Sequence, residues 1–180
     1  MFKYVSEVSK ISHYIINTFV DKKEIAVDAT LGNGYDTDFL SENFKKVYSF
    51  DIQKCACDNY KEKKKSNVKL INDSHHLLKS YINEKVSCIM YNLGFLPGGD
   101  KTITTNYETS LESIKEGLEL LISGGIMTIC IYRGHEEGKK EEKMILEYVK
   151  QLPKDRFGAM NHEVLNRSEN APILVVIEKK

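Results

Sequence analysis

The chain is 180 residues long, 41% hydrophobic and 29% charged, with 26 Lys and Arg against 26 Asp and Glu. That composition is ordinary for one folded domain and excludes a disordered chain, while the balanced charge excludes holding a nucleic acid by long-range attraction alone. No apolar run approaches the ~20 residues that span a bilayer, and the stretch from Met1 to Glu7 lacks the apolar centre of a secretory signal, so the expectation is a single cytoplasmic domain over 1–180 with no membrane contact.

Val8, Ile11, Ile15 and Phe19 recur at helical spacing and predict an amphipathic helix over about 6–20. An apolar run then predicts a strand at about 25–29 that enters the turn Asp28-Ala29-Thr30-Leu31-Gly32-Asn33-Gly34, and a helix follows over about 35–43. A strand running into a glycine-rich turn and a helix N-terminus is how a nucleotide-like cofactor is received, because glycines let the backbone approach and the helix offers free N–H groups. Asp28 puts a negative charge at the mouth, where a phosphate is unwelcome and a cationic, phosphate-free cofactor fits. S-adenosylmethionine, with an ammonium, a sulfonium and a ribose diol, has that chemistry. The dinucleotide fingerprint asks for a small residue three positions after the second glycine, and Thr37 stands there, which weakens a nicotinamide reading.

The strand at about 47–51 ends at Asp51, about 20 residues beyond the start of the turn, where a carboxylate can accept both hydrogen bonds of a ribose diol; Gln53 follows it. A helix over about 54–64 ends in Lys61-Glu62-Lys63-Lys64-Lys65, which reads as a solvated helix end before it reads as a nucleic-acid patch. The strand at about 68–72 ends in Asn72-Asp73-Ser74, a carboxylate and a hydroxyl suited to an adenine amino group, and His75 and His76 open a helix over about 75–82 on the same side. Further strands are predicted at about 86–91 and 126–132, with helices over about 107–122 and 138–151. After Pro153 come strands at about 157–166 and 172–178, joined by a connection too short for a helical crossover, so this pair is antiparallel. Cys55, Cys57, Cys88 and Cys130 match no metal-binding or redox spacing, and no metal is expected.

Several strands are almost continuously apolar, which means helices cover both faces of the sheet. The order of elements predicts an α/β, Rossmann-like architecture: a mostly parallel seven-stranded sheet with a C-terminal antiparallel hairpin, which resembles the class I methyltransferase fold. Ligands bind such sheets at the carboxyl ends of the strands. The candidate cofactor set is therefore Asp28, Thr30, Gly32, Asn33, Gly34, Asp36, Thr37, Asp51, Gln53, Asp73, Ser74, His75 and Asn92. The competing reading has Asp28 and Asp51 merely capping the loops that follow them.

After the fourth strand, Tyr91-Asn92-Leu93-Gly94-Phe95-Leu96-Pro97-Gly98-Gly99-Asp100 resembles the Asn/Asp-Pro-Pro-Tyr/Phe loop of methyltransferases that act on exocyclic nitrogens. Asn92 and Phe95 match; Leu93 and Gly94 replace both prolines, and a plain Gly/Pro turn with one core Phe is the alternative. Together with Asp28 to Thr37, the stretch from Asn92 to Lys101, Tyr132-Arg133-Gly134-His135-Glu136-Glu137-Gly138 and the C-terminal Asn166…Asn170-Ala171-Pro172 resemble the bacterial MnmM family, formerly labelled rRNA methylases. Arg167 and Ala171 depart from that family's C-terminal motif, where Gln and Pro are expected. The resemblance implies methylation of 5-aminomethyl-2-thiouridine at the tRNA wobble position to 5-methylaminomethyl-2-thiouridine, with S-adenosylmethionine as donor. The anticodon stem-loop would then be gripped by the catalytic domain itself or across a homodimer. Two other readings keep the donor: an acceptor on rRNA or a small metabolite, or binding of the donor without catalysis.

An alkylamine with a pKa of roughly 10 is neutral in only about one molecule per thousand at pH 7, a cost of about 4 kcal/mol unless the site removes the proton. Asn92 can orient the amine, Phe95 can pack on the uracil, and His135 with Tyr132 is the candidate proton acceptor or base contact. Thr104, Thr105 and Tyr107 are expected to form a lid or substrate loop, with helix capping as the other role for Thr105. Arg133 is expected either to hold a tRNA phosphate or to pair with Glu136 or Glu137.

Overall fold

The computed structural model describes residues 2, 4–96, 98 and 104–180. Pro97, Gly99, Asp100 and Lys101 of the second motif lie outside the described residues. The chain begins with α1 (Val8–Phe19), β1 (Ile25–Asp28), α2 (Tyr35–Asn43), β2 (Lys46–Phe50), α3 (Lys54–Lys61) and β3 (Val68–Ile71). A 3-10 turn at His75–Leu77 leads into α4 (Leu78–Tyr81), followed by β4 (Val86–Leu93), α5 (Tyr107–Leu120), β5 (Leu121–Ile131), α6 (Glu136–Val149), β6 (Phe157–His162) and β7 (Ile173–Lys179).

The strands form a 7-stranded sheet in the order β3-β2-β1-β4-β5-β7-β6, parallel except that β7 runs against both of its neighbours. This is the expected architecture, terminal antiparallel pair included. Strand order reverses between β1 and β4, and their carboxyl ends leave a crevice at that point. Alternation along the strands divides the core into two layers. Val27, Ile89 and Tyr91 pack toward α5 and α6 through Ile114, Leu118 and Ile145, whereas Ala26, Cys88 and Met90 meet Ile16 of α1 and Leu40 of α2. Fully burying each such aliphatic side chain stabilises the fold by roughly 1.5–3 kcal/mol.

Three differences from the expected elements bear on the site. The buried stripe of α1 is Val8, Ser12 and Ile16, and Phe19 is 62% exposed, because Ser12 lies against the sheet and donates to Thr128 Oγ1 at 3.0 Å. β4 runs two residues further than the apolar run suggests, so Asn92 lies on the strand, paired in register with Cys130. β5 starts directly after α5: Leu121 pairs with Val86, and the register then jumps to Ile126 opposite Cys88, which turns the expected loop around Gly124 into a bulge.

Candidate active site

A cavity of about 740 Å³ opens at the carboxyl ends of β1, β2, β3 and β4. Thr30, Gly32, Asn33, Asp36, Asp51, Gln53, Asp73, Ser74, His75 and Asn92 from the predicted cofactor set line it, together with Phe95, Thr105 and Tyr132 from the acceptor set.

Its floor is built by side chains that do not reach it. Asp28 is wholly buried, accepting from the Thr30 N–H at 3.0 Å and from Thr37 Oγ1 at 2.6 Å. Ser49 Oγ completes the set at 2.7 Å from Thr37 Oγ1. Burial, and next the neighbouring Asp36 carboxylate, raise the Asp28 pKa to about 7. The expectation that Asp28 faces the cofactor as a fixed negative charge is therefore corrected. It fixes the shape of the turn from beneath, with Thr37. Gly34 also turns away from the cavity: it is left-handed (φ 81°), and a Cβ there would come within 2.3 Å of the Tyr60 ring. The glycine answers to the packing of α3 against the turn.

Asp51 does face the cavity. Its Oδ2 accepts from the Gly32 N–H at 2.9 Å and its Oδ1 from the Gln53 N–H at 2.8 Å. These bonds lock the carboxylate against the glycine turn and favour its ionised form, while burial pushes its pKa up. Asp73 is held by the Tyr81 hydroxyl at 2.6 Å and the Ser74 N–H at 2.8 Å, which lower its pKa. His75 lines the cavity and is 8% exposed, burial lowers its pKa to about 4, and its buried Nε2 has no hydrogen-bond partner among the described residues. Buried polar atoms are normally satisfied, so this nitrogen marks where a ligand group or water belongs.

Asn92 stands at the centre. Its backbone N–H donates to Thr30 Oγ1 at 2.7 Å, and its side-chain Nδ2 donates to Asp36 Oδ2. A carboxylate accepts only, so this bond fixes which end of the amide is nitrogen and leaves the carbonyl oxygen for another donor. Asp36 Oδ1 in turn lies 2.6 Å from Nε2 of His13 on α1, and His13 also lines the cavity. Neither His13 nor the neighbouring wall residues Glu7 and Lys10 follow from reading strand ends, because they precede the first strand.

The remaining acceptor-side residues fall into two groups. Phe95 pairs with Thr104 in an antiparallel bridge, and the Thr105 N–H donates to the Gly94 carbonyl at 3.1 Å, so the two ends of the β4–α5 connection line the cavity side by side. His135 does not line the cavity: it sits behind Phe95, ring centroids 5.9 Å apart, with Nε2 at 3.1 Å from Thr104 Oγ1. Thr105 Oγ1 donates to Glu141 at 2.9 Å, and Tyr107, which begins α5, donates its N–H to Glu137 at 3.2 Å outside the cavity.

Arg133 is corrected outright. It is 8% exposed, and its guanidinium donates to Glu142 at 2.6 Å, to Glu163 at 2.5 Å and to the Ala171 carbonyl at 2.7 Å. Three of its five N–H donors are held inside the fold, and the glutamates are not Glu136 or Glu137. Its fork ties α6 to the connection between β6 and β7. Gly138 belongs to the same joint, since a Cβ there would lie 2.3 Å from the Tyr132 carbonyl.

Residues 47–178 match the model of the family described as "Putative rRNA methylase". An Arabidopsis thaliana protein named tRNA (mnm(5)s(2)U34)-methyltransferase, chloroplastic, is 30% identical across 97% of this chain and 70% of its own length. Among solved structures, a Clostridium thermocellum protein with the same description as the family is 37% identical with a TM-score of 0.92, covering 98% of this chain and 99% of its own. A Streptococcus mutans structure in complex with SAH is 38% identical with a TM-score of 0.89, again covering 98% of this chain and 99% of its own.

Proposed function

The chain belongs to the rRNA-methylase family, and from that membership we propose that it is an S-adenosylmethionine-dependent N-methyltransferase acting on tRNA. Its acceptor is the primary amine of 5-aminomethyl-2-thiouridine at the wobble position, which becomes 5-methylaminomethyl-2-thiouridine. The named activity of the Arabidopsis relative supports the acceptor, and the S. mutans complex supports the donor. The observation that carries the reading is Asn92, whose amide is held by Asp36 so that its carbonyl is the end left for an incoming amine.

The cavity suits the donor. Its lining brings together the carboxylates Asp36, Asp51 and Asp73, which suits a ligand carrying positive charge, and the oriented Asp51 suits a ribose diol. When bound, S-adenosylmethionine supplies a methyl group on a positive sulfur, which the amine lone pair displaces to leave a neutral thioether and a secondary ammonium. The protein's part is to seat the amine and exclude water. Asn92 orients the nitrogen, while Phe95 and Tyr132, 38% and 40% exposed at the rim, present rings for the uracil. The anticodon stem-loop approaches this rim.

Nucleoside mass spectrometry of tRNA from a strain lacking the gene tests the assignment. The unmethylated amine should accumulate and its N-methyl form disappear; an unchanged level of the N-methyl nucleoside contradicts it.

A further inference from the structure

We propose that His13, oriented by Asp36, removes the proton from the substrate ammonium, an inference that rests on the amine acceptor proposed above. His13, Asp36 and Asn92 line one cavity, and the last two ring and amide nitrogens named, His13 Nε2 and Asn92 Nδ2, bond to opposite oxygens of the one carboxylate. An amine seated at the Asn92 carbonyl therefore shares one cavity with the His13 ring, and cavity water completes the path to the ring.

The ring is built for the task. Its face stacks on Phe39 at 4.0 Å and 5°, and its side chain is 25% exposed beside an Asp36 that is 6% exposed. A carboxylate at Nε2 selects the tautomer that carries its hydrogen there, which leaves the Nδ1 lone pair as acceptor. Among the described residues, Nδ1 makes no hydrogen bond. The other histidines of this region are worse placed: His135 lies behind Phe95, His75 is buried with a pKa lowered to about 4, and His76 Nδ1 is 2.8 Å from Ser74 Oγ.

The step balances simply. One N–H bond of the substrate ammonium breaks, its electron pair stays on the substrate nitrogen, and the proton bonds to Nδ1. Imidazolium then faces the Asp36 carboxylate, and the neutral amine is the nucleophile. After methyl transfer His13 returns the proton to solvent.

The test compares wild type with His13→Gln, which suits a helix, retains an N–H for Asp36 and cannot take a proton. Single-turnover methylation of an anticodon stem-loop carrying 5-aminomethyl-2-thiouridine is followed from about pH 7 to about pH 9.5, with S-adenosylhomocysteine affinity measured in parallel. At about pH 7 the variant should be roughly 100-fold slower with affinity unchanged, and the gap should narrow to a few-fold at high pH, where the amine sheds its own proton. The charged and titratable groups that line the cavity around His13 are Asp36, Glu7, Lys10 and Tyr132, all present in both proteins. If the Gln variant does not fold, His13→Asn replaces it. Wild-type turnover with a ratio independent of pH, or with no defect at about pH 7, overturns the role of His13 alone. No wild-type turnover on this RNA overturns the acceptor assignment and, with it, this step.

Discussion

Asp51 and Asn92 end neighbouring parts of one crevice, yet their partners predict different failures. Asp51 is locked by two backbone N–H groups with its charge turned to the cavity, so Asp51→Ala should weaken S-adenosylhomocysteine binding roughly 100-fold, the loss expected for charge-assisted hydrogen bonds. Asn92→Ala should lower turnover by roughly 100-fold while calorimetry finds that affinity within a few-fold of wild type. Parallel losses in both assays would refute this division. Reading strand ends located most of the cavity wall, because backbone alternation and the Gly32 turn are written locally in the chain. It misjudged Asp28 because a carboxylate at a strand end reads the same whether it faces a ligand or a buried threonine. It missed His13 because the contact joins α1 to α2 across 23 residues. The available signal was the alternation itself: continuing β4 two residues places Asn92 on the face of Cys88 and Met90, the side covered by α1.

Two joints between elements carry buried charge. Glu141 on α6 is fully buried against α5, accepting from Ser110 Oγ at 2.6 Å and Thr105 Oγ1 at 2.9 Å, and burial raises its pKa to about 7. A carboxyl raised in the folded state favours folding below its ordinary value of 4.5 and loses that contribution as pH rises to about 7. Glu141→Gln should therefore gain stability relative to wild type between about pH 5 and about pH 8, by up to about 3 kcal/mol, read from urea midpoints. An unchanged difference between those two conditions would show that Glu141 does not titrate there. Arg133 joins α6 to the segment before β7 with a planar fork, which Lys cannot reproduce. Arg133→Lys should cost about 2 kcal/mol and lower Tm by about 4–8 °C, with tRNA affinity unchanged. A selective loss of RNA binding without loss of Tm would return this residue to the phosphate-binding role. The arginine's partners were not legible from its neighbours Glu136 and Glu137, since both glutamates it meets arrive from other turns of the fold.

At the scale of the molecule, strand and helix periods predict the alternation of elements and the terminal antiparallel pair; the spatial order β3-β2-β1-β4-β5-β7-β6 is visible only in the structure, and its reversal opens the crevice between β1 and β4. The crevice is lined on one side by residues of α1 and on another by Phe95 and Thr104 of the β4–α5 connection, so its walls come from separate parts of the chain. The place of the donor was legible in the glycine turn and in Asp51, although the charge at the mouth was assigned to the buried Asp28; the acceptor was legible only through the family resemblance of the four motifs, because spacing alone ends at a methyltransferase. Purified protein incubated with S-adenosylmethionine labelled in its methyl group and with fractionated RNA tests the whole account most directly. Label should enter tRNA and be recovered, after digestion, solely as 5-methylaminomethyl-2-thiouridine; label in rRNA, or in no RNA fraction, would contradict it.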